Sequence, residues 1–116
     1  MADERRQLGD RGEAAVARAM ARRGYAVLDR QYRCRWGEID IVARDPAGTL
    51  CFVEVKTRTS SGFAQAREAV TPAKQRKLRA AASLYLAERR LDGRCRFDVA
   101  EVYWTSRRIN YIINAF

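Results

Sequence analysis

The chain has 116 residues, of which 47% are hydrophobic and 32% charged, and its formal net charge at pH 7 is +9. This composition predicts one folded domain spanning residues 1–116 and excludes an intrinsically disordered chain. No apolar run approaches the roughly 18 residues that a membrane span needs, and no signal-peptide pattern follows the N-terminus. We therefore expect a cytoplasmic protein with no membrane partner. A small domain this basic is typical of proteins that bind nucleic acid.

The chain contains no histidine, which restricts the chemistry open to it. Ser-His-Asp and Cys-His triads and histidine-metal nucleases are excluded. The three cysteines, Cys34, Cys51 and Cys95, form no Cys-x-x-Cys pair, so we predict neither a disulfide framework nor a zinc site. Acid–base work would have to come from carboxylates, lysine, tyrosine or water on a metal ion.

The first predicted helix runs from Leu8 to Arg23 and is ended by Gly24. Glu13 precedes Val16 by three residues and Met20 by seven, so it shares the inward, apolar face of this helix. A carboxylate on the buried side of a helix indicates a functional role. The alternative is an acid that complements the helix dipole near its N-terminus.

An edge strand is predicted next, over residues 25–33, and a basic turn region over residues 31–37 follows it. Arg33 and Arg35 of this region are candidate contacts to nucleic acid, and Trp36 lies beside them.

Residues 37–58 predict two strands joined by a Pro/Gly turn at 45–48. Strict alternation places three residues of the first strand on one face: Ile39, Ile41 and Ala43. It places three others on the opposite face: Glu38, Asp40 and Val42. On the second strand Glu54 and Lys56 project together, on the same face as Leu50 and Phe52. Ionised side chains on apolar strands are costly unless they pair or bind a cation. The hairpin is therefore predicted to present carboxylates and an ammonium side by side.

Residues 57–70 are rich in Ser, Thr, Gly and Gln and predict a long loop. Arg58 and Arg67 favour a loop that faces the substrate, and a merely solvated loop is the alternative.

Thr71-Pro72 predicts the start of a second helix, which runs to about Arg90. Five apolar residues are predicted to face inward: Leu78, Ala81, Ala82, Tyr85 and Leu86. Basic residues in the first turns oppose the helix dipole, so we interpret them as phosphate contacts, with an ordinary solvated face as the alternative. These residues are Lys74, Arg76, Lys77 and Arg79.

Two strands close the chain, from Phe97 to Tyr103 and from Ile109 to Phe116. A strand, a long helix and a returning strand predict a parallel crossover. The expected fold is α/β, with a mixed five-strand sheet flanked by helices in the order α-β-β-β-α-β-β.

Asp40, Glu54 and Lys56, with Glu13 reaching in from the first helix, match the needs of phosphodiester hydrolysis. Carboxylate oxygens are ligands for Mg²⁺ or Mn²⁺, so Asp40, Glu54 and Glu13 are the candidate metal ligands. Such a cation lowers the pKa of bound water and neutralises charge on the phosphate. Lys56 would orient or deprotonate the attacking water, or stabilise the developing charge.

The pattern Asp-x(13)-Glu-x-Lys, here Asp40 to Lys56, resembles the signature of the restriction-endonuclease-like, or PD-(D/E)xK, nucleases. Nearly the whole chain resembles the bacterial YraN-like family. Five stretches carry that resemblance: Gly12-Glu13, Gly24-Tyr25, Gly37-Glu38-Ile39-Asp40, Phe52 to Arg58, and Lys74-Gln75. One departure is Ile39, which stands where the superfamily name has proline.

The resemblance implies a restriction-endonuclease-like fold and metal-dependent cleavage of branched DNA, as in archaeal-type Holliday-junction resolvases. It assigns the catalytic roles to Glu13, Asp40, Glu54 and Lys56, and it implies a homodimer. Arg58 and Gln75 are candidate positioners of phosphate or water. Two alternatives stay open: a non-catalytic nucleic-acid-binding module, in which the ionised face only forms salt bridges, and an RNA-processing nuclease.

Overall fold

The structure, a computed structural model, describes residues 2–58 and 70–116. The helices are α1, Ala2–Arg22, and α2, Pro72–Arg89. The strands are β1, Ala26–Cys34; β2, Gly37–Arg44; β3, Leu50–Arg58; β4, Cys95–Tyr103; and β5, Arg108–Ile112. The predicted mixed α/β fold and its element order are confirmed.

The five strands form one sheet in the order β1-β2-β3-β4-β5, so β1 lies at an edge as predicted. Strands β3 and β4 are parallel, with Leu50 opposite Cys95 and Arg58 opposite Tyr103, and the other pairs are antiparallel. Parallel neighbours need a crossover connection, and α2 lies in it, which confirms that prediction. Among the described residues, no helix is long and apolar enough to cross a membrane.

Each face of the sheet packs against one helix, and we call these faces the α1 side and the α2 side. The α2-side core joins sheet residues Val42, Leu50, Phe52 and Val99 to Leu78, Ala81, Ala82 and Tyr85 of α2. The α1-side core joins Val16 and Met20 of α1 to Ile41, Ala43, Cys51, Val53, Ala100 and Val102. The predicted inward residues of α2 are thus buried, with Leu86 packed at the margin.

Helix α2 begins as its sequence predicts. The hydroxyl of Thr71 accepts a hydrogen bond from the backbone N–H of Lys74 at 3.2 Å, and Pro72 occupies the first turn. The cap satisfies a donor that would otherwise lack a partner at the helix start.

Helix α1 approaches β3 closely at Gly12. A β-carbon at this position would lie 2.1 Å from Oγ1 of Thr57 and 3.2 Å from its Cβ. Only glycine permits this approach without displacement. The next residue, Glu13, is thereby held against the sheet beside the C-terminal half of β3.

A buried polar network lies at the end of the sheet where β3 begins. Nε of Arg96 donates to both carboxylate oxygens of Asp98, at 3.1 and 3.0 Å, and Nη1 lies 2.7 Å from Oδ2 of Asp45. Nη2 donates to the hydroxyl of Tyr25 at 2.8 Å, while the hydroxyl of Tyr111 donates to Asp98 at 2.6 Å. Asp98 is fully buried, and these bonds offset the cost of burying its charge.

Several predicted boundaries differ from the observed ones. Helix α1 begins at Ala2 rather than Leu8, so the helix extends beyond its apolar stripe, and Arg6 and Gln7 of this extension are exposed. Strand β1 runs on to Cys34, so only Arg35 and Trp36 separate it from β2, and the predicted basic turn region is mostly strand.

Two further differences concern the ends of strands. Strand β5 stops at Ile112, short of the predicted Phe116, and Asn114 takes a left-handed φ of 54° while its N–H bonds to Asp98. Thr57 and Arg58 belong to β3 rather than to the predicted loop. The remainder of that predicted loop, residues 59–69 with Arg67, lies outside the described residues.

Candidate active site

The predicted catalytic residues lie where β2 and β3 separate. The antiparallel ladder between these strands ends at the pair Ile41 and Val53. Beyond it, Oδ2 of Asp40 accepts a hydrogen bond from the backbone N–H of Val55 at 2.7 Å. Because Val55 lies between Glu54 and Lys56 in the chain, this bond fixes the Asp40 carboxylate beside both residues.

The side chains of β2 do not alternate strictly between the two faces of the sheet where β2 and β3 separate. Ile39 packs in the α2-side core with Val42, whereas Ile41 and Ala43 pack in the α1-side core, although all three odd-numbered residues were predicted to share one face. Between Ile39 and Ile41, the side chain of Asp40 bonds to the backbone of β3. Gln31, which follows Arg30 in β1, has a left-handed φ of 55° at the same level.

Glu54 is buried, with 8% of its surface exposed, and two lysines hold it. Its Oε1 lies 2.9 Å from Nζ of Lys74 and 3.3 Å from Nζ of Lys56. Lys74 comes from the first turn of α2, so Glu54 and Lys56 face the α2 side, as the sequence predicts.

The two ammonium groups respond differently to this arrangement. The pKa of Lys56 is lowered, first by burial and then by Lys74, while Glu54 opposes the shift. Burial also disfavours the charged form of Lys74, but its contacts with Lys56 and Glu54 outweigh burial and raise its pKa. Of the two lysines, Lys74 is the closer counter-ion of Glu54.

Glu13 reaches the separation from the α1 side. It is 4% exposed, and its Oε1 accepts from Nε of Arg30 at 2.9 Å while Oε2 accepts from Gln31 at 3.4 Å. Glu13 and Asp40 line one cleft of about 400 Å³, together with Arg33 and other residues of α1, β1 and β3. Glu13 and Asp40 thus share a cleft with residues of α1, whereas Glu54 faces the α2 side.

Asp40 lies near three other carboxylates, Glu54, Glu13 and Glu38. Burial first, then the charge of Glu54, raises its pKa from 3.8 to about 7, with smaller effects of the same sign from Glu13 and Glu38. The hydrogen bond from the Val55 N–H, in contrast, lowers the pKa of Asp40. A carboxylate held in such a potential gains from a nearby cation, and carboxylate oxygens are the donors that Mg²⁺ and Mn²⁺ prefer.

The carboxylates fit such a cation by chemistry, but their present contacts do not form a complete ligand set. Within residues 2–58 and 70–116, no three Asp, Glu, His or Cys side chains are grouped so as to hold a metal ion. Glu13 is engaged by Arg30, and Glu54 by Lys56 and Lys74. Coordination by Glu54 would therefore require Lys74 to move away.

Two of the basic residues predicted to bind nucleic acid, Arg33 and Arg35, lie at the end of β1 and in the turn after it. Nε of Arg33 pairs with Glu38 at 3.0 Å, and the guanidinium of Arg35 lies 5.1 Å from the ring centroid of Trp36. Both arginines are exposed.

The remaining predicted contacts lie along α2 and β3. Arg76 and Lys77 are exposed. The guanidinium of Arg79 lies over Phe97, 4.9 Å from the ring centroid, on the part of α2 that faces β4. Gln75 donates to the carbonyl of Val70 at 3.1 Å and so ties the helix to the residue before its N-cap.

The sequence reasoning missed a further carboxylate beside the site. Glu101 of β4 is 2% exposed and is the parallel neighbour of Lys56. Its Oε2 lies 3.7 Å from Nε of Arg58, and neither of these buried atoms has a hydrogen-bond partner among the described residues. The predicted parallel pairing of these strands was the signal that could have placed Glu101 here.

Known proteins resemble this chain over most of its length. The model of the uncharacterised protein family UPF0102 matches residues 12–102, a span that includes all four predicted catalytic residues. A UPF0102 protein of Geobacter metallireducens is 46% identical over 114 residues, covering 96% of this chain and 93% of the relative. One from Caldicellulosiruptor saccharolyticus is 42% identical over 118 residues, covering 97% and 98%. The chain therefore belongs to the uncharacterised protein family UPF0102.

Proposed function

We propose that the protein is a divalent-metal-dependent endonuclease that hydrolyses phosphodiester bonds in DNA, with branched DNA such as Holliday junctions as its substrate. The observation that carries the proposal is the hydrogen bond from Val55 to Asp40. It gathers Asp40, Glu54 and Lys56 where two buried strands part. The resemblance to PD-(D/E)xK nucleases supports the same assignment.

Asp40 and Glu54, with Glu13 from the α1 side, are the residues that would hold Mg²⁺ or Mn²⁺. The bound cation would supply charge neutralisation at the phosphate and activation of water. Lys56 lies 3.3 Å from Glu54 and has a lowered pKa, so it is placed to orient water or to exchange a proton with it.

The basic surface would bring the substrate to these residues. Arg35, Arg76 and Lys77 are exposed, and the net charge of +9 attracts a polyanion from any direction. The resemblance to junction resolvases implies a homodimer, in which each of two copies would cut one strand.

The test is cleavage of labelled DNA by purified protein in Mg²⁺, in Mn²⁺ and in EDTA. A four-way junction, a duplex, a single strand and an RNA duplex would be compared. Asp40→Asn, Glu54→Gln and Lys56→Met each remove one predicted function with little change of shape. We expect metal-dependent cleavage of the junction by the wild type and a loss of about 100-fold or more in each variant.

Asp92→Asn is the matched control, because Asp92 is exposed in the turn after α2. It should cleave at the wild-type rate. Equal cleavage by all variants would identify a contaminating nuclease and refute the proposal. Preference for the RNA duplex would replace the DNA substrate with RNA.

The ion pairs of Glu54 and Glu13 favour a second candidate, a non-catalytic DNA-binding module. In that case the acids are structural, their charge being offset by Lys74 and Arg30. Calorimetric titration with Mn²⁺ separates the two functions, because the module would bind DNA in a salt-sensitive manner and bind no Mn²⁺.

A further inference from the structure

Trp36 is an exposed aromatic residue four positions before Asp40 in the chain. It occupies the two-residue turn between β1 and β2, and 42% of its surface is exposed. Exposing a large apolar ring to water has a cost, and such residues often mark a binding surface.

The ring of Trp36 borders a cleft that is both basic and partly apolar. Arg35 lies over the ring at 5.1 Å from its centroid. The cleft has a volume of about 400 Å³, and its other lining residues include Lys74, Lys77 and Leu78 of α2. Its acid, Glu38, is neutralised by Arg33 at 3.0 Å.

We propose that Trp36 stacks on an unpaired nucleobase of DNA, so that the protein prefers strands with single-stranded character. Lys74 and Lys77 of the same cleft would contact the adjoining phosphates. The inference rests on the proposed function, since it names the feature of DNA that the site would select.

The chemistry of the cleft favours a nucleobase over an apolar partner. A stacked base needs an accessible aromatic face, while its phosphates need cations nearby, and the cleft offers both. In a duplex the bases already stack on each other, so a lone tryptophan gains contact only with an unpaired base.

The cleft also adjoins the candidate active site through Lys74. Trp36 precedes Asp40 by four residues, roughly 13 Å along a strand. Lys74 belongs to the cleft and binds Glu54 at 2.9 Å. One DNA strand can therefore reach Trp36 and the candidate active site together.

Fluorescence tests the inference, because the chain has two tryptophans and Trp104→Phe leaves Trp36 as the sole emitter. This variant would be titrated in EDTA with a thymidine oligonucleotide and with a duplex of equal length. We expect saturable quenching by the single strand. Trp36→Ala should weaken single-strand binding about ten-fold and duplex binding less than two-fold, and Trp36→Phe should recover part of the loss.

Trp104 offers a matched control within the chain, because it lies in the turn between β4 and β5 with Arg107 4.5 Å from its ring centroid. Trp104→Phe should leave both affinities unchanged. Equal loss on both DNAs, or no loss, in Trp36→Ala overturns the inference while the proposed function stands. Absence of binding to any nucleic acid overturns the proposed function itself, and stronger quenching by a uridine oligonucleotide overturns the assignment to DNA.

Discussion

Replacing Asp40 by asparagine should remove most of the pH dependence of stability between about pH 5 and about pH 8. Burial and the neighbouring charge of Glu54 raise the pKa of Asp40 from 3.8 to about 7 in the folded protein. The folded state therefore retains a proton that the unfolded chain has lost. Wild-type stability should fall as the pH rises from about 4 to about 7 and become level above that range.

The magnitude follows from the two pKa values. The pKa of Asp40 is 3.8 in the unfolded chain and about 7 in the folded chain. By proton linkage, this difference lowers the free energy of unfolding by about 2 to 3 kcal/mol between about pH 5 and about pH 8. Asparagine keeps an oxygen that accepts the Val55 N–H but does not ionise. Asp40→Asn should thus be more stable than the wild type at the higher pH.

Urea unfolding followed by tryptophan fluorescence measures the free energy of unfolding at each pH. Asp92→Asn serves as the control, because an exposed carboxylate should not change the profile. At about pH 8, Mn²⁺ at about 100 times its dissociation constant should raise the free energy of unfolding of the wild type by about 2.7 kcal/mol. The increase should be much smaller for Asp40→Asn. Parallel pH profiles for the wild type and Asp40→Asn would refute the reasoning.

Two further predictions concern the surroundings of the site. Lys74→Gln should bind Mn²⁺ on the order of ten-fold more tightly than the wild type, because the substitution removes a counter-ion of Glu54. Lys77→Gln is the control and should bind Mn²⁺ as the wild type does. Calorimetry would measure the affinities, and equal values for the two variants would contradict the prediction. Gly12→Ala should destabilise the fold by about 1 to 3 kcal/mol in urea unfolding, because its β-carbon meets Thr57. Thr57→Ala should relieve part of that loss in the double variant, and strictly additive effects would contradict the proposed contact.

Features with local causes could be predicted from the sequence. The cap at Thr71, the burial of Glu13 and the parallel crossover each follow from patterns within one element or its neighbours. The placement of Glu54 with Lys56 on the face of Phe52 follows from the two-residue period of a strand.

Features set by the packing of distant elements could not be predicted. The ladder between β2 and β3 ends at Ile41, and the Asp40 side chain bonds to β3 beyond it, which no alternation pattern predicts. The pairing of Lys74 with Glu54 depends on how α2 docks on the sheet, so the sequence did not predict this partner for Lys74. The network around Arg96 joins residues far apart in the chain.

That network has a consequence for how the sheet can move. Arg96 connects β4 to the segment before β1 and to the turn after β2, and Asp98 extends the connection to β5. At this end of the sheet, side-chain bonds thereby connect the segment before one edge strand, β1, to the other edge strand, β5. At the other end β2 and β3 are held near Asp40 by a side-chain contact instead of a regular ladder. Any separation of β2 from β3 would therefore begin at the carboxylates and not at the end that Arg96 holds.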